Sequence, residues 1–558
     1  ISMARKLSLP LDKVQYWEKE KAQETYLTQP MGNGEVADYT WRRAVGEARR
    51  MATYLKSMDL PAGSRIAIIS KNCAHWIMSD WAIWMAGHVS VPLYPTLNAE
   101  TVRYILDHSG AEVAFVGKLD DWEMIKPGVP ETMHCISYPL SPETDFPTWN
   151  EIVAQQSPLQ PVAERDPDEM ATIVYTSGST GKPKGVMLSF YNMAYSAEGV
   201  IQALDVTPDE RMLSYLPLAH VFERFVVEMG ALYAGFHLYF AESLDTFLED
   251  LRRAKPTLFL AVPRIWTKFQ AGVFQKMPAE KLDRLLKIPL LNRVIKKKIL
   301  TNLGLEHVKF AGSGSAPLAG EILEWYRRLG LELLEGYGMS ENFAYSHMSM
   351  PGRSRTGYVG EPLPGVETRI TEDGEVQVRS PATMMGYYRD PEKTAETMTE
   401  DGFLATGDKG EEDELKRLKI TGRIKEIFKT SKGKYVAPAP IENELVAHPL
   451  VEVACVSGSN QTSPYALVML GEDVRPRISD PNYRKEVDAR LAHLMEEVNH
   501  GLDPHEQLKF IVVVRDEWTI ENNFLTPTMK LKRNVVEEAY QNKVDDWYSR
   551  SQAIIWED

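Results

Sequence analysis

Between Ala171 and Val186 the chain reads Ala-Thr-Ile-Val-Tyr-Thr-Ser-Gly-Ser-Thr-Gly-Lys-Pro-Lys-Gly-Val, an apolar run that opens into glycines, hydroxyls and lysines. That composition suits phosphate. Gly178, Gly181 and Gly185 let backbone N–H groups approach anionic oxygens, Thr176, Ser177, Ser179 and Thr180 add hydroxyl donors, and Lys182 and Lys184 supply charge. A flexible Gly/Ser linker has the same composition and stays open on this segment alone. A P-loop does not fit, because Pro183 follows Lys182 and the earlier glycine is misplaced for G-x-x-x-x-G-K-[S/T]. Farther along, Gly336-Tyr337-Gly338-Met339-Ser340-Glu341 offers an aromatic face for a purine, a hydroxyl for phosphate and a carboxylate for Mg²⁺. A core tyrosine in a polar loop is the plainer alternative. Thr406-Gly407-Asp408 offers a carboxylate that can accept from two hydroxyls, although by itself the tripeptide reads as a turn. Lys530, taken alone, is a solvated surface charge.

These segments need a scaffold, and the chain is long enough for one: 558 residues exceed what a single core usually holds. From Thr40 to Leu55 the residues Trp41, Ala44, Val45, Ala48, Met51, Ala52 and Leu55 fall at helical spacing, with Thr40 placed as cap. Apolar runs at Arg65 to Ser70 and Ala111 to Gly117, and again Leu244 to Ala254 followed by Thr257 to Val262, give the alternation of layered α/β sheets. From Asp373 to Arg379 strict alternation predicts half-exposed antiparallel strand. Gly410 to Lys419 is strongly charged, and the remainder of the chain has the length of a separate unit, so the boundary is placed near Lys425. The expected fold class is α/β: a large N-terminal domain (residues 1–424) of layered α/β sheets with a β-rich subdomain, and a small mobile C-terminal α+β domain (425–558).

A net charge of −15 argues against a nucleic-acid binder. Cys73, Cys135 and Cys455 have no metal-ligand spacing and no disulfide framework, which fits a reducing, cytoplasmic compartment. Ile1 to Pro10 is neither a signal nor a transit peptide and lacks Met, so export is not expected, and no apolar run is long enough to span a membrane. From Lys276 to Leu303, Leu282, Leu285, Leu286, Ile288, Leu290 and Leu291 mix with Lys287, Arg293, Lys296, Lys297 and Lys298. This is a basic amphipathic stretch that either lies peripherally on an anionic membrane face or is simply a solvated face.

Together with Gly422-Arg-Ile-Lys425 and Leu525-Thr-Pro-Thr-Met-Lys-Leu-Lys-Arg533, in this order, these segments resemble the adenylate-forming superfamily of acyl-CoA synthetases, luciferases and adenylation domains. That resemblance implies the superfamily's fold and a role for each motif. Lys182, Lys184 and the hydroxyl loop Thr176 to Gly181 correspond to the family's pyrophosphate site, with Thr180 and Glu341 at Mg²⁺. Tyr337, Asp408 and Arg423 correspond to the nucleoside site, and Gly314, Ser315 and Ala316 to the small-residue loop beside adenine. Ser340 stands where Thr is usual and keeps the hydroxyl. Lys530 matches the adenylation lysine, although Met529 replaces the usual glycine before it, and Lys532 is a lesser candidate. Lys425 matches the hinge, and Gly433 belongs to the segment that reaches coenzyme A after rotation.

The segments Leu216 to Arg224 and Val262 to Trp266, and the Leu-Thr-Pro-Thr form before Lys530, resemble long-chain fatty acyl-CoA synthetases in particular. His220 is then either near the reacting carboxylate or a satisfied structural histidine. The implied activity is ATP-dependent ligation of a fatty acid to coenzyme A through an acyl-adenylate, with ATP, Mg²⁺ and CoA. Fatty acyl-AMP ligases carry an extra insertion in the interval that is short here, Asn342 to Ala405, so CoA is preferred over a carrier protein. A luciferase-like oxygenase and a silent lipid-binding protein that kept the fold are the remaining alternatives.

Overall fold

The computed structural model describes residues 7–176, 181–314 and 318–557. A seven-stranded sheet has a parallel middle, with Arg65–Ile69 between Val89–Leu93 and Val113–Val116, and His134–Ser137 beyond. Parallel neighbours require a crossover. The helices Ala74–Met85 and Ala99–Ser109 supply it. The first is apolar nearly all round and buried at every position, as a helix without a polar face must be. Against it packs Trp41–Ser57, whose buried residues include the seven expected from spacing, with Thr40 accepting from Arg43 N at 3.1 Å. On the other flank Met170–Thr176 pairs antiparallel with Lys184–Ser189, so the hydroxyl loop joins two adjacent strands.

A nine-stranded sheet runs from Glu361–Pro362 through 347–348, 333–337, 310–313, 258–261, 211–214, 237–240 and 25–32 to 35–40. From Leu333–Tyr337 to Thr25–Gly32 it is parallel. One apolar core joins both sheets, with helix Phe190–Leu204 and the helical run from Val221 to Ala234 contributing to it. Inside it Arg224 pairs with Asp80 at 2.6 Å, both fully buried, and donates to Thr172 and Ser90 at 2.6 and 2.8 Å. This anchors the segment that carries His220. Removing one partner of such a pair typically costs about 3–5 kcal/mol.

A third, four-stranded antiparallel sheet holds Glu367–Ile370, Glu375–Arg379, Leu404–Glu412 and Leu418–Arg423. Val376 and Val378 are buried as alternation predicts, but Gln377 is also covered, because Arg369 reaches over it and donates to its Oε1 at 2.7 Å. The charged stretch from Gly410 to Lys419 is a hairpin whose turn is tied by Arg417 to Asp413 at 2.7 Å. Beyond it, Val451–Ser457, Tyr465–Leu470, Ile511–Val513 and Ile554–Trp556 form a mixed sheet with helix Pro481–His500. The fold is thus α/β, a large N-terminal part with a smaller C-terminal one. The basic stretch is two helices, Ala279–Leu286 and Leu291–Asn302, broken at Lys287–Leu290. All three cysteines are buried and free, and among the described residues no helix is long and apolar enough to cross a membrane.

Candidate functional site

Asp408 lies within strand Leu404–Glu412 and not in a turn, the plainer reading of its sequence. Thr406 Oγ1 donates to Val376 O at 2.6 Å and accepts from Asp408 N at 3.1 Å. Gly407 between them adopts φ +75°, a conformation that favours glycine, and donates its N–H to Glu375 at 3.2 Å. Tyr337 OH donates to Asp408 Oδ2 at 2.5 Å, and Arg423, the register partner on the next strand, places Nε 3.8 Å from Oδ1. Burial raises the Asp408 pKa, and Arg423, Tyr337 and Lys530 pull against it. The result is a carboxylate fixed in position by its neighbours.

Tyr337 ends strand Leu333–Tyr337, and the chain leaves through Gly338, where a Cβ would fall 2.4 Å from the Ala344 backbone. No side chain fits there. Gly336 is under no such pressure, its nearest atom lying at 3.6 Å, while a Cβ on Gly314 would just touch the Phe222 ring at 3.4 Å. Met339 packs beside Tyr337. Ser340 and Glu341 form one 3₁₀ turn with Asn342. Tyr387 OH donates to Glu341 at 2.9 Å, and burial raises the Glu341 pKa. Tyr387, Arg423 and Lys184 pull the Glu341 pKa back down, so its carboxylate lies in a cationic setting where it could also act as an oxygen ligand for a hard divalent cation.

Lys184 begins its strand and its carbonyl accepts from Thr176 Oγ1 at 3.5 Å; burial, then Lys393, lower its pKa. Lys182 is exposed, its ammonium 4.8 Å from the Tyr104 ring centroid, and Gly181 adopts φ +80°. Ser177, Gly178, Ser179, Thr180, Ser315 and Ala316 lie outside the described residues.

Lys530 arrives from the C-terminal part on a loop closed by Thr526, which accepts from Lys530 N at 3.0 Å and donates its own N–H to Lys530 O at 2.7 Å. Water still reaches the side chain, yet protein crowds it enough that desolvation, then Arg423, lower its pKa, with Asp408 and Glu426 opposing. Met529 before it has φ +65°, which accounts for glycine being usual at this position. Lys532 instead donates to Asn523 within its own unit. His220 caps the short helix Val221–Glu223, its Nδ1 accepting from Phe222 N at 3.1 Å, so the other nitrogen carries the proton. Burial and Lys530 press its pKa down to about 4. The reading of His220 as a satisfied structural histidine is thus met by its cap hydrogen bond. Gly433, at φ +77°, sits in the turn between Phe428–Lys429 and Tyr435–Val436, and no hydrogen bond or ion pair among the described residues joins it to this cluster.

Beside the cluster lies a narrow, partly open apolar cavity of about 60 Å³, lined by Val200, Leu204, Val226, Phe236, Leu260 and Phe310 together with Ser313, Glu335 and Gly336. Ser313 and Glu335 pair across adjacent strands, and burial pushes Glu335 up to about 7. Sequence reasoning did not single out Tyr387, Glu426 or Glu335. Tyr387 carries no local signal, whereas Glu335 directly precedes Gly336 and was within reach.

The profile of the AMP-binding enzyme family matches residues 14–388, and that of the AMP-binding enzyme C-terminal domain matches residues 425–552. The chain is 32% identical to the long-chain-fatty-acid–CoA ligase FadD15 of Mycobacterium bovis, covering 96% of each. It is 30% identical to human long-chain-fatty-acid–CoA ligase 1, over 87% of this chain and 78% of that one. Its fold resembles the anthranilate CoA ligase AuaEII bound to anthranoyl-AMP, with a TM-score of 0.78 at 20% identity, covering 97% and 98%. It also resembles ATP-bound MatB from Rhodopseudomonas palustris, with a TM-score of 0.73 at 25% identity, covering 96% and 100%.

Proposed function

We propose, from the premise that the chain belongs to the AMP-binding enzyme family, that it is an ATP-dependent long-chain fatty acid–CoA ligase. The observation that carries the substrate is the apolar cavity, because Ser313, Glu335 and Gly336 in its lining belong to the strands that present Gly314 and Tyr337. Its walls are almost entirely apolar, which suits an alkyl chain better than a polar or charged acid. The fatty carboxylate attacks the α-phosphate of ATP and releases pyrophosphate, and the CoA thiol then displaces AMP from the acyl-adenylate.

Here Asp408 and Arg423 hold the ribose and Tyr337 faces the base. Lys182 and Lys184 bind the leaving pyrophosphate. Lys530 neutralises the two anions that meet in the first step. Neutral His220 positions the carboxylate end without adding a charge. Glu341 and Thr180 would hold Mg²⁺, which supplies charge neutralisation at the phosphates when bound.

The same reading divides the chain at Lys425, within the turn Ile424–Glu426 after Arg423, into residues 1–424 and 425–558. Two apolar clusters of the C-terminal part draw no side chain from before Phe428, which supports a unit able to move as one body. Rotation at Lys425 withdraws Lys530 and brings Gly433 to the CoA channel. The enzyme works in the cytoplasm, in peripheral contact with a membrane that holds its substrate.

Pyrophosphate release measured from acetate to eicosanoate, with and without CoA, tests this. Each added methylene should raise kcat/KM by about fourfold until the cavity is filled. Acetate or benzoate performing as well as palmitate would overturn the long-chain assignment. Thioester formation on a carrier protein but not on CoA would overturn the second half-reaction.

A further inference from the structure

The helices Ala279–Leu286 and Leu291–Asn302 leave apolar residues unaccounted for by packing. Leu282 and Ile299 are buried, and Leu286, Ile295 and Leu300 pack against the cluster that holds Trp325 and Tyr326. Ile288, Leu290, Leu291 and Val294 point the other way, with exposures of 45%, 77%, 39% and 63%. Four exposed aliphatic side chains thus gather at one helix–helix junction. Leu290 is held there at φ +69°, a backbone region that a leucine rarely adopts without a compensating role.

The charge around this tip is the second observation. From Arg284 to Leu305 the chain carries Arg284, Lys287, Arg293, Lys296, Lys297 and Lys298 and no acidic residue, in a protein whose net charge is −15. In sequence the segment connects the paired strands Leu258–Ala261 and Phe310–Ser313, which contribute Leu258, Leu260 and Phe310 to the wall of the apolar cavity.

We propose that this tip is a docking surface for an anionic lipid bilayer, with Ile288, Leu290, Leu291 and Val294 entering the headgroup boundary and the six cations meeting anionic headgroups. A basic ring around aliphatic side chains is what such a surface favours. A second copy is a poor occupant, since two-fold pairing through this patch would set six cations against six cations. This rests on the long-chain reading only in that the bilayer is where such substrates accumulate; lipid binding itself is independent of it.

The test is flotation of the intact protein, without ATP or CoA, with vesicles of phosphatidylcholine mixed with phosphatidylglycerol, and with phosphatidylcholine alone. The protein should float with the anionic vesicles, less as salt rises, and scarcely with the neutral ones. Changing Lys296, Lys297 and Lys298 together to Gln should weaken binding on the order of a hundredfold. Leu290→Ser with Val294→Ser should weaken it without changing its salt dependence. Both variants should ligate octanoate, a soluble substrate, at the parent rate, which separates lost docking from lost folding and from failure of the ligase assignment. Parent protein that ignores anionic vesicles, or variants that float as well as the parent, would overturn the proposal. So would a parent dimer that the Leu290 and Val294 changes convert to monomer.

Discussion

Asp408 and Lys530 are the two charges that bracket the site, and they are built in opposite ways. Asp408 sits within a strand, with its N–H, its carboxylate and the threonine two residues before it all hydrogen-bonded, and Arg423 fixed opposite. Lys530 hangs from a four-residue loop entered through a strained Met529, and its ammonium makes no hydrogen bond or ion pair among the described residues. The acid is preorganised by the sheet, while the lysine is brought to it by a different unit. A group that must remain in both steps belongs on the rigid part, and one needed in a single step can be carried by a part that leaves.

The sharpest way to break that contrast is Lys530→Ala. Loss of one preorganised charge at such a centre lowers rates by about a hundred- to a thousandfold. Adenylate formation should fall by that much, while thioester formation from supplied acyl-adenylate and CoA keeps most of its rate. Lys532→Ala should have a far smaller effect, since Asn523 already engages it. Equal losses in the two half-reactions would mean that the lysine does not leave.

On the rigid side a smaller effect is expected. Tyr337→Phe deletes the donor to Asp408 but keeps the ring, and a hydrogen bond to a charged group is worth about 1.5–3 kcal/mol at most. The KM for ATP should therefore rise roughly tenfold, with both half-reactions affected alike on the proposal that Asp408 holds the ribose throughout. An effect confined to the first half-reaction would place Tyr337 with the mobile charge.

The smallest expected change is Met529→Gly. Relieving a non-glycine residue at φ +65° should stabilise the loop by about 1 kcal/mol, offset in part by the greater freedom glycine has when unfolded. A slight rise in Tm, read by calorimetry, with unchanged adenylation would show that the strain is local. Faster adenylation would show instead that Met529 holds Lys530 short of its working position.

Much of this is legible in the sequence alone. The cap at Thr40, the buried stripe of Trp41–Ser57 and the strand alternation around Val376 come from periodicities of 3.6 and 2, which the folded chain obeys. The nucleotide cluster is legible because its residues lie in short contiguous motifs. The rest depends on contacts between distant parts. Nothing near Tyr387 announces that its hydroxyl meets Glu341, and Gln377 looks exposed until Arg369, eight residues away, is seen to cover it. The basic stretch misleads differently. Its apolar residues form one series in sequence, but the break at Lys287–Leu290 divides them into an inward set and an outward set.

The strand Thr25–Gly32 has a consequence for how the chain is made. It pairs in parallel with His237–Phe240, Leu27 opposite Leu238, and Trp17 donates to Leu232 O at 2.6 Å. A Cβ on Gly235 would lie 2.5 Å from that tryptophan ring, so the two surfaces are fitted to each other. At 5–20 residues per second, some two hundred residues separate their synthesis by roughly ten to forty seconds. For that time the first hairpin has emerged and its hydrogen-bonding edge has no partner. The nascent chain must either hold this edge against a chaperone or leave the hairpin unformed, and the first hairpin cannot join the largest sheet until nearly half of the protein has left the ribosome.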